Sequence, residues 1–223
     1  VSFFRQKDYN AALPPARKAV QMSEQIFGKD HPETALALLN LGFVQLSRNE
    51  AKATENAFER AVGIYKKSPD LDKQNGARYA DALESLATLR QADRHPSAEN
   101  LFEKALEWRE KTGGAGSFKT AKSLYYLATI NYWNRIYKKA SERLERLLEV
   151  YSKNPNAPKE DTALIFYRAE CAFDKAGRQE DFEKIRNKYS SELNIEFEPK
   201  DKSGDPKDTK VINSGTVMEK LTG

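Results

Sequence analysis

The sequence predicts an all-α fold of stacked helix pairs that ends in a short extended, β-like tail at the C-terminus. Two kinds of segment alternate along the chain. Each kind recurs about every 42 residues, a period typical of helical repeats. In both kinds the apolar residues follow the i, i+3, i+4, i+7 spacing of an amphipathic helix. A single pair of such helices has too little core of its own, so neighbouring pairs must stack.

The first helix of each pair, helix A, is marked by the segments TALALLNLGFVQL, YADALESLATLRQ, AKSLYYLATINYW and TALIFYRAECAFD. The second helix, B, is marked by ARKAV, FERAV, FEKAL and LERLL. Each A segment carries a small residue at an equivalent position, namely Gly42, Ala87, Ala128 and Ala169. We expect this residue to let helix B approach closely, while bulky B residues such as Phe58 and Phe102 fill the space between pairs.

Proline and glycine set the predicted ends of the helices. Pro32 falls in a first helical turn, where its missing N–H costs nothing, and Gly177 falls where the last A helix should end. Pro14 and Pro15 lie inside the first B helix, and we expect them to kink it or to delay its start. The predicted helices are B1 8–27, A2 31–47, B2 50–67, A3 76–92, B3 96–111, A4 117–134, B4 136–153, A5 160–176 and B5 178–190.

The predicted organisation is therefore one helical solenoid over residues 1–190 and an extended tail or linker over residues 191–223. The complete helix pairs are predicted at about 31–67, 76–111, 117–153 and 160–190. Val1 to Arg5 are interpreted as the last turn or two of a truncated first A helix, which would make the sequence a fragment.

The pattern resembles the tetratricopeptide repeat (TPR) in its form of about 42 residues, as found in kinesin-light-chain-like proteins. The segment FGKDHPETALALLNLG (27–42) is similar to the loop and first helix of that family. NEAKATENAFERAVGIY (49–65) and RIYKKASERLERLLEVY (135–151) are similar to its B helices. Arg168 departs from the pattern because it stands where leucine is usual. The resemblance, which covers residues 1 to about 190, implies a right-handed TPR-type α-α superhelix whose A helices line a concave groove for peptides or partner proteins.

Composition excludes several classes of protein. No stretch approaches the roughly 18 apolar residues of a membrane-spanning helix, so we expect no membrane insertion. One cysteine and two histidines rule out a disulfide framework and leave little room for a metal centre. The net charge of +4 is mild and the two signs are mixed along the chain, which argues against nucleic-acid binding. The lone Cys171 is compatible with a reducing or an oxidising compartment, so cytoplasm and periplasm both remain open.

The candidate partner-binding residues flank the equivalent positions Leu41, Leu86, Leu127 and Arg168 on the A helices. They are Asn40, Phe43, Ser85, Thr88, Tyr125, Tyr126, Thr129, Tyr132, Phe166 and Tyr167. In the resembling family an asparagine at the position of Asn40 often clamps a peptide backbone. Aromatic side chains combine a large apolar area with, in tyrosine, a polar group that suits a binding surface. Helix A4 is apolar nearly all round; we assign Tyr125, Tyr132 and Phe166 to the groove and Trp133 to packing.

Three further features have structural explanations. GGAGSFKT (113–120) is half like a phosphate-binding loop, but it has Phe118 where glycine is needed and follows a helix, so we interpret it as a turn. His31 and His95 each precede a proline at a helix start, which favours a capping or turn role over catalysis. Cys171 is interpreted as a small buried hydrophobic residue.

The tail changes pattern. ELNIEFE (192–198) alternates apolar and polar residues with the period of a strand, PKDKSGDPKD is a polar linker, and TKVINSGTVMEKLTG can form a second strand. The two segments pair as a hairpin or belong to a following domain. The end, VINSGTVMEKLTG, resembles the lead-in to the C-terminal domain of TonB-type energy transducers. That resemblance implies an envelope protein with its repeats in the periplasm.

The predicted function is a protein- or peptide-binding scaffold or adaptor, with no enzymatic activity and no cofactor. One alternative is a structural spacer or regulatory module of a larger envelope protein, with no groove ligand. Another is the regulatory part of a larger enzyme. The open end of a solenoid can also stack on a second copy, so self-association remains open.

Overall fold

The computed structural model describes residues 9–68, 73–154 and 159–193. These residues form nine α-helices and one short 3₁₀-helix, with no strand among them. The α-helices are α1 Tyr9–Phe27, α2 Pro32–Ser47, α3 Ala51–Lys67, α4 Lys73–Ala92, α5 Ser97–Gly113, α6 Ala121–Trp133, α7 Tyr137–Ser152, α8 Lys159–Lys175 and α9 Gln179–Leu193. The 3₁₀-helix, Phe118–Thr120, directly precedes α6. The predicted all-α class and the alternation of A and B helices are confirmed.

The chain divides into two compact units, residues 1–117 and 118–223. In the first unit α1 packs on α2, α2 on α3, α3 on α4 and α4 on α5. In the second unit α6 packs on α7, α7 on α8, and α9 on both α8 and α7. Because the turns inside each pair are short, the two helices of a pair run antiparallel. The pairs are α2–α3, α4–α5, α6–α7 and α8–α9.

Each A helix ends in the same kind of turn. The second residue after each A helix has a left-handed backbone. These residues are Asn49 (φ 58°), Arg94 (φ 53°), Arg135 (φ 61°) and Gly177 (φ 69°). The next backbone N–H then donates to the carbonyl five residues earlier, as from His95 to Arg90 at 2.8 Å. This is a Schellman ending, which satisfies the last carbonyls of the helix. Gly177 was predicted to end its helix, and the other three turns use side-chain-bearing residues at the same position.

The close approach of helix A to helix B is confirmed at Gly42. A Cβ atom built at this position would lie 2.7 Å from Cδ1 of Phe58 and closer still to its Cε1. Phe58 is 1% exposed and is one of the largest fully buried side chains. Its ring also meets the edge of Phe43, with centroids 5.3 Å apart. Glycine at position 42 therefore lets α2 and α3 pack at a distance that a methyl group would prevent.

Of the two effects expected of Pro14 and Pro15, the delayed start of the first B helix is wrong, and the kink stays a prediction. The helix α1 begins at Tyr9 and contains both prolines. Both side chains are exposed, whereas the neighbouring Ala12 and Leu13 are buried. The prolines lie in the second turn, so the carbonyls that lose a donor belong to the first turn, close to the helix end. That position reduces the cost of the two missing N–H groups.

The predictions for the chain ends fall mostly outside the described residues. Val1 to Arg5 and the segments after Leu193 are not among them. The helix α9 extends to Leu193, three residues beyond the predicted end of B5 at residue 190. Residues 191–193 therefore belong to a helix and not to the predicted tail.

An ion pair is buried between α4 and α5. The side chain of Glu84 is 2% exposed and that of Arg109 is 9% exposed. Arg109 donates from Nη2 to Glu84 Oε2 at 2.8 Å and also to Asp81 Oδ1. Burial alone would lower the pKa of Arg109, but its hydrogen bonds and the negative charges of Glu84 and Asp81 hold that pKa above its ordinary value. The guanidinium thus stays charged and fixes α5 against α4.

The hydroxyl group of Tyr65 is buried without a hydrogen-bond partner among the described residues. The side chain on α3 is fully buried, and its ring lies 6.0 Å from that of Tyr79. Burial raises the pKa of Tyr65 to about 12, and the nearby positive charge of Arg78 only partly opposes this effect. A buried hydroxyl without a partner costs stability, because it loses its hydrogen bonds to water.

We therefore expect Tyr65→Phe to leave the free energy of unfolding unchanged or to raise it by about 1 kcal/mol at neutral pH. The raised pKa also predicts a pH effect. Below the ordinary pKa of 10 the phenol is neutral in both the folded and the unfolded chain, so its ionisation does not reduce the free energy of unfolding. As the pH rises from 10 to about 12, the phenol ionises in the unfolded chain first, and the free energy of unfolding falls. Denaturant titrations between pH 10 and about 12 should show a smaller fall in the free energy of unfolding for Tyr65→Phe than for the wild-type chain. A destabilised variant at neutral pH would mean that the hydroxyl has a partner.

Candidate protein-binding surface

The first unit presents four of the predicted residues on α2 and α4. Asn40 is exposed, Phe43 is 39% exposed, and Ser85 and Thr88 are half-buried. The ring of Phe43 rests edge-on against the buried Phe58, which fixes its orientation. Asn40 makes no side-chain hydrogen bond with the described residues, so both its amide N–H and its carbonyl remain available to a ligand. Binding through these residues stays a prediction.

The hydroxyl groups on the A helices already donate within their own helix. Ser85 Oγ donates to the Asp81 carbonyl at 2.7 Å, and Thr88 Oγ1 donates to the Glu84 carbonyl at 2.7 Å. In the second unit Thr129 Oγ1 donates to the Tyr125 carbonyl at 2.9 Å. A hydroxyl has one proton and two lone pairs. In this arrangement these side chains are therefore acceptors, suited to backbone N–H groups of a ligand rather than to its carbonyls.

In the second unit the structure separates the predicted aromatic residues by exposure. Tyr125 is 9% exposed and Tyr126 is 8% exposed, so each presents only a small part of its surface. Tyr132 is half-buried, and Tyr167 is 39% exposed. Phe166 is 1% exposed. Its assignment to the groove surface is corrected: Phe166 belongs to the packed core of its helix pair.

The assignment of Trp133 to packing is also corrected, because this side chain is 74% exposed. Trp133 is the last residue of α6, where the chain turns towards α7. Apolar residues surround nearly the whole of α6, so periodicity did not distinguish its buried face from its exposed end. Sequence reasoning also missed Ile136, which is 40% exposed just after the turn. Ile136 follows Arg135 in the turn after α6, and this position outside a helix could have indicated its exposure.

Five side chains of the second unit on α6, on α8 and in and after the turn that follows α6 are here called the α6–α8 aromatic surface. It consists of Tyr132, Trp133, Ile136, Tyr137 and Tyr167. The ring of Tyr132 lies 6.4 Å from that of Trp133 and 5.4 Å from that of Tyr137, both nearly perpendicular. Burial raises the pKa of Tyr132, and neighbours that include Cys171, Tyr137 and Tyr167 raise it further. The charge of an ionised Tyr167 on α8 is therefore close enough to act on Tyr132 of α6.

Arg168 follows Tyr167 on α8 and contacts two residues of α6. Its guanidinium lies over the ring of Tyr125, with Cζ 5.0 Å from the ring centroid. Its Nη1 donates to Thr129 Oγ1 at 3.4 Å. Two residues predicted from equivalent positions of the repeats, Tyr125 and Thr129, therefore contact one cation. The side chain of Arg168 is half-buried, unlike the leucines at the equivalent positions 86 and 127, which are fully buried.

The remaining motifs have structural roles. His31 caps α2, because its Nδ1 accepts a hydrogen bond from the Glu33 N–H at 3.2 Å. His95 accepts in the same way from the Ser97 N–H at the start of α5. The glycine-rich segment 113–120 ends α5, turns at Gly114 with φ 84° and leads into the 3₁₀-helix. Cys171 is half-buried rather than fully buried.

Two kinds of feature are absent from the described residues. No group of three or more His, Cys, Asp or Glu side chains is placed to hold a metal ion in residues 9–68, 73–154 and 159–193. In the same residues no helix combines the length and the apolar character that crossing a membrane requires.

The exposure of Trp133 can be checked directly by fluorescence. The chain has two tryptophans, and Trp108 packs against Tyr79, with ring centroids 5.6 Å apart. In a Trp108→Phe variant the emission should come from Trp133 alone, with a red-shifted maximum and strong quenching by acrylamide. In the Trp133→Phe variant the emission should come from Trp108 alone, with a blue-shifted maximum and weak quenching by acrylamide. Equal quenching of the two variants would contradict the assigned exposures.

The fold defines a class of protein, the helical-repeat proteins built from antiparallel helix pairs. A family model described as tetratricopeptide repeat matches residues 1–67 and 79–153. The chain belongs to this family. The tetratricopeptide fold is typical of protein–protein interaction scaffolds.

Three solved structures share the fold. One is the crystal structure of BtubC (BKLC) from P. vanneervenii, with a TM-score of 0.68 and 17% identity, covering 91% of this chain and 81% of that one. Another is a putative kinesin light chain from Podosopora anserina with nearly identical TPR-like repeats. It has a TM-score of 0.64 and 15% identity, and the match covers 86% of this chain and 90% of that one. A variant of the same Podosopora anserina protein also has a TM-score of 0.64, with 14% identity, covering 86% of this chain and 89% of that one.

A curated relative is the clustered mitochondria protein homolog of Aspergillus niger, which is 26% identical over 130 residues. The match covers 56% of this chain but spans only 10% of the relative's length.

Proposed function

We propose that this chain is a non-enzymatic binding scaffold that holds a protein or peptide partner on the α6–α8 aromatic surface. The observation that carries the proposal is the exposure of Trp133, at 74%, beside Tyr132 and Tyr137. Family membership supports the general role, because tetratricopeptide repeats typically bind proteins. The exposed aromatic cluster supports its location on the second unit.

Leaving large apolar side chains exposed to water is unfavourable. A tryptophan side chain carries a large apolar area, and removing that area from water stabilises a complex. Trp133, Ile136 and Tyr167 are all large exposed side chains of the second unit, and we propose that they act as one patch, because scattered single exposed residues need no explanation. Tryptophan and tyrosine are also enriched among the residues that carry most of the energy of an interface. The ring of Tyr132 contacts those of Trp133 and Tyr137, which restricts these rings before binding and reduces the entropy lost when a ligand orders them.

The surface of the first unit extends the proposal. Asn40 and Phe43 are exposed on α2, and Ser85 and Thr88 are partly accessible on α4. We propose that these residues accept and donate hydrogen bonds to the backbone of an extended ligand, with Phe43 as an apolar contact. This surface of the first unit is proposed independently of the one on the second unit, and variants in one unit test that unit's surface alone.

A capture experiment with matched variants tests the proposal. The wild-type chain, a Trp133→Ala/Tyr167→Ala variant and a Met22→Ala/Ile26→Ala control are immobilised and exposed to the same cell extract. The control removes similarly exposed apolar area from α1, in the first unit. We expect a partner that binds the wild type and the control equally and the Trp133/Tyr167 variant at least about tenfold more weakly.

Equal capture by all three chains would contradict the proposed surface. A failure of all three to enrich any protein would instead favour the structural-spacer alternative. Thermal unfolding of each variant beforehand ensures that lost capture reflects the surface and not the fold.

A further inference from the structure

The helix α1 carries an apolar stripe on a face that is exposed to solvent. Its members follow the i, i+4, i+7, i+11 spacing of one helix face. They are Pro15, Ala19, Met22 and Ile26, all of them exposed. Met22 is 46% exposed and Ile26 is 66% exposed. These four residues are called the α1 stripe below.

In the next repeat the same positions are buried. The offset of 42 residues that relates ARKAV to FERAV makes Ala19 equivalent to Ala61 and Met22 equivalent to Ile64. Ala61 is fully buried and Ile64 is 3% exposed. The helix α3, which carries them, packs on both α2 and α4, whereas in the described part of the first unit only α2 packs extensively on α1. The α1 stripe is therefore a packing face of the repeat that has a helix on one side only.

The surface around the α1 stripe is poor in charge. Of all residues in the chain 31% are charged, but between Lys18 and Lys29 the one charged residue is Glu24. Its carboxylate already accepts a hydrogen bond from Arg60 of α3 at 2.5 Å. Depletion of charged residues distinguishes the core of a protein interface from the rest of a protein surface. A partner of the stripe would therefore bury apolar area without removing an unpaired charge of this segment from water.

The last described helix, α9, offers no matching face. From residue 179 to residue 189 its exposed side chains are all polar or charged, and they are Gln179, Glu180, Glu183, Lys184, Asn187 and Lys188. No large apolar side chain of that segment is exposed. Stacking of the α1 stripe on α9 of another copy would remove these charges from water against an apolar surface. The α1 stripe of another copy is a better match, because each stripe would then bury apolar area against apolar area.

The charges on α1 favour an antiparallel arrangement of two such helices. Arg17 and Lys18 are exposed in the N-terminal half, whereas the opposite end carries the partial negative charge of the helix dipole. Lys29 and Asp30, just beyond that end, offset each other. In an antiparallel pair the basic residues of each copy lie towards the C-terminal end of the other copy. A parallel pair would instead bring the basic residues of both copies together.

We propose that two copies of this chain associate through their α1 stripes, as a symmetric antiparallel pair. Both copies use the same surface, so the contact closes as a dimer and does not continue as a filament. The stripe extends about 16 Å along the helix from Pro15 to Ile26, which makes the contact a small one. We therefore expect a dissociation constant on the order of tens of micromolar. The α6–α8 aromatic surface takes no part in the contact, so this inference does not rest on the proposed function.

Sedimentation velocity of the full chain, from about 5 to about 500 μM, tests the dimer. The wild type is compared with Met22→Lys/Ile26→Lys and with a control, Trp133→Lys/Ile136→Lys, which places the same charges on exposed apolar residues of the second unit. We expect the wild type and the control to pass from monomer to dimer with the same dissociation constant. In the α1 variant that constant should be at least about tenfold larger. Thermal unfolding verifies each fold, and Met22→Gln/Ile26→Gln replaces the lysine variant if that variant does not fold.

Disulfide formation tests the antiparallel arrangement. Pro15→Cys and Ile26→Cys are introduced into separate chains, each with Cys171→Ser, and the two chains are mixed and oxidised. An antiparallel pair brings position 15 of one copy towards position 26 of the other, so we expect the mixed disulfide to exceed either like-with-like product. Predominant like-with-like disulfides would reject this arrangement.

Three results of the sedimentation experiment would overturn the inference. A wild-type chain that stays monomeric at every concentration would mean that a different partner, or another segment of the same chain, covers the α1 stripe. Equal association of all three chains would show that the stripe takes no part in the contact. Association lost in the Trp133/Ile136 control alone would place the contact on the second unit.

Discussion

Replacing Gly42 with alanine is expected to destabilise the chain by about 2 kcal/mol. The new methyl group would lie 2.7 Å from Cδ1 of Phe58 and closer still to Cε1, far inside the usual contact distance of about 3.5–4.0 Å. Phe58 is 1% exposed and its ring also contacts Phe43, so it has no room to turn aside. Overpacking of this kind costs about 3 kcal/mol, of which the better helix propensity of alanine recovers about 1 kcal/mol.

The chain contains a matched control for this change. Gly63 lies inside α3, and a Cβ atom built there meets nothing within 4 Å. Gly63→Ala should therefore stabilise the chain by about 0.5–1 kcal/mol through helix propensity alone. Urea denaturation of both variants gives the comparison. If Gly42→Ala were as stable as Gly63→Ala, the close packing of α2 on α3 would be contradicted.

Removing the charge of Arg109 is expected to cost about 3 kcal/mol. In Arg109→Met the volume of the side chain is largely kept, but Glu84 loses the guanidinium that holds it at 2.8 Å. The carboxylate of Glu84 is 2% exposed, and a buried charge that loses its counter-charge is strongly destabilising. Denaturant titration at neutral pH measures the loss.

Two further variants separate this ion pair from an ordinary one. Arg60→Met breaks the pair with Glu24, in which Arg60 is 41% exposed, and should cost less than about 1 kcal/mol. The double variant Glu84→Leu/Arg109→Met removes both buried charges and should recover much of the stability lost by Arg109→Met. A small effect of Arg109→Met alone would show that water reaches Glu84.

Most of the fold could be predicted because the information is local or repeated. The helical spacing of apolar residues placed α2 to α9 within a few residues of their observed ends. The small residue at Gly42 could be interpreted because equivalent positions carry alanine in the other pairs. Gly177 marked a helix end because glycine readily adopts the left-handed backbone of a Schellman turn. The prolines of α1 misled because their exposure, which makes them tolerable, is a property of tertiary packing.

The candidate site was less predictable, since exposure depends on neighbours distant in sequence. In α6 nearly every position is apolar, and the sequence could not separate Trp133, at the exposed helix end, from packed residues such as Leu127. Phe166 was misplaced for the converse reason, because the neighbours that bury it are not visible in its own segment. The partners of Arg109 and Arg168 lie 25 and 39 positions away, beyond the reach of local patterns.

Site-specific photo-crosslinking tests the central claim, binding through the α6–α8 aromatic surface, most directly. A benzoylphenylalanine replaces Trp133 in one chain and Ile26 in another, because both positions are strongly exposed but lie in different units. Each chain is irradiated in the same extract, and the crosslinked proteins are identified by mass spectrometry. We predict a discrete crosslinked partner from position 133, competed by excess unlabelled wild-type chain, and no such product from position 26. The same products from both positions, or none that the wild-type chain competes away, would contradict the account.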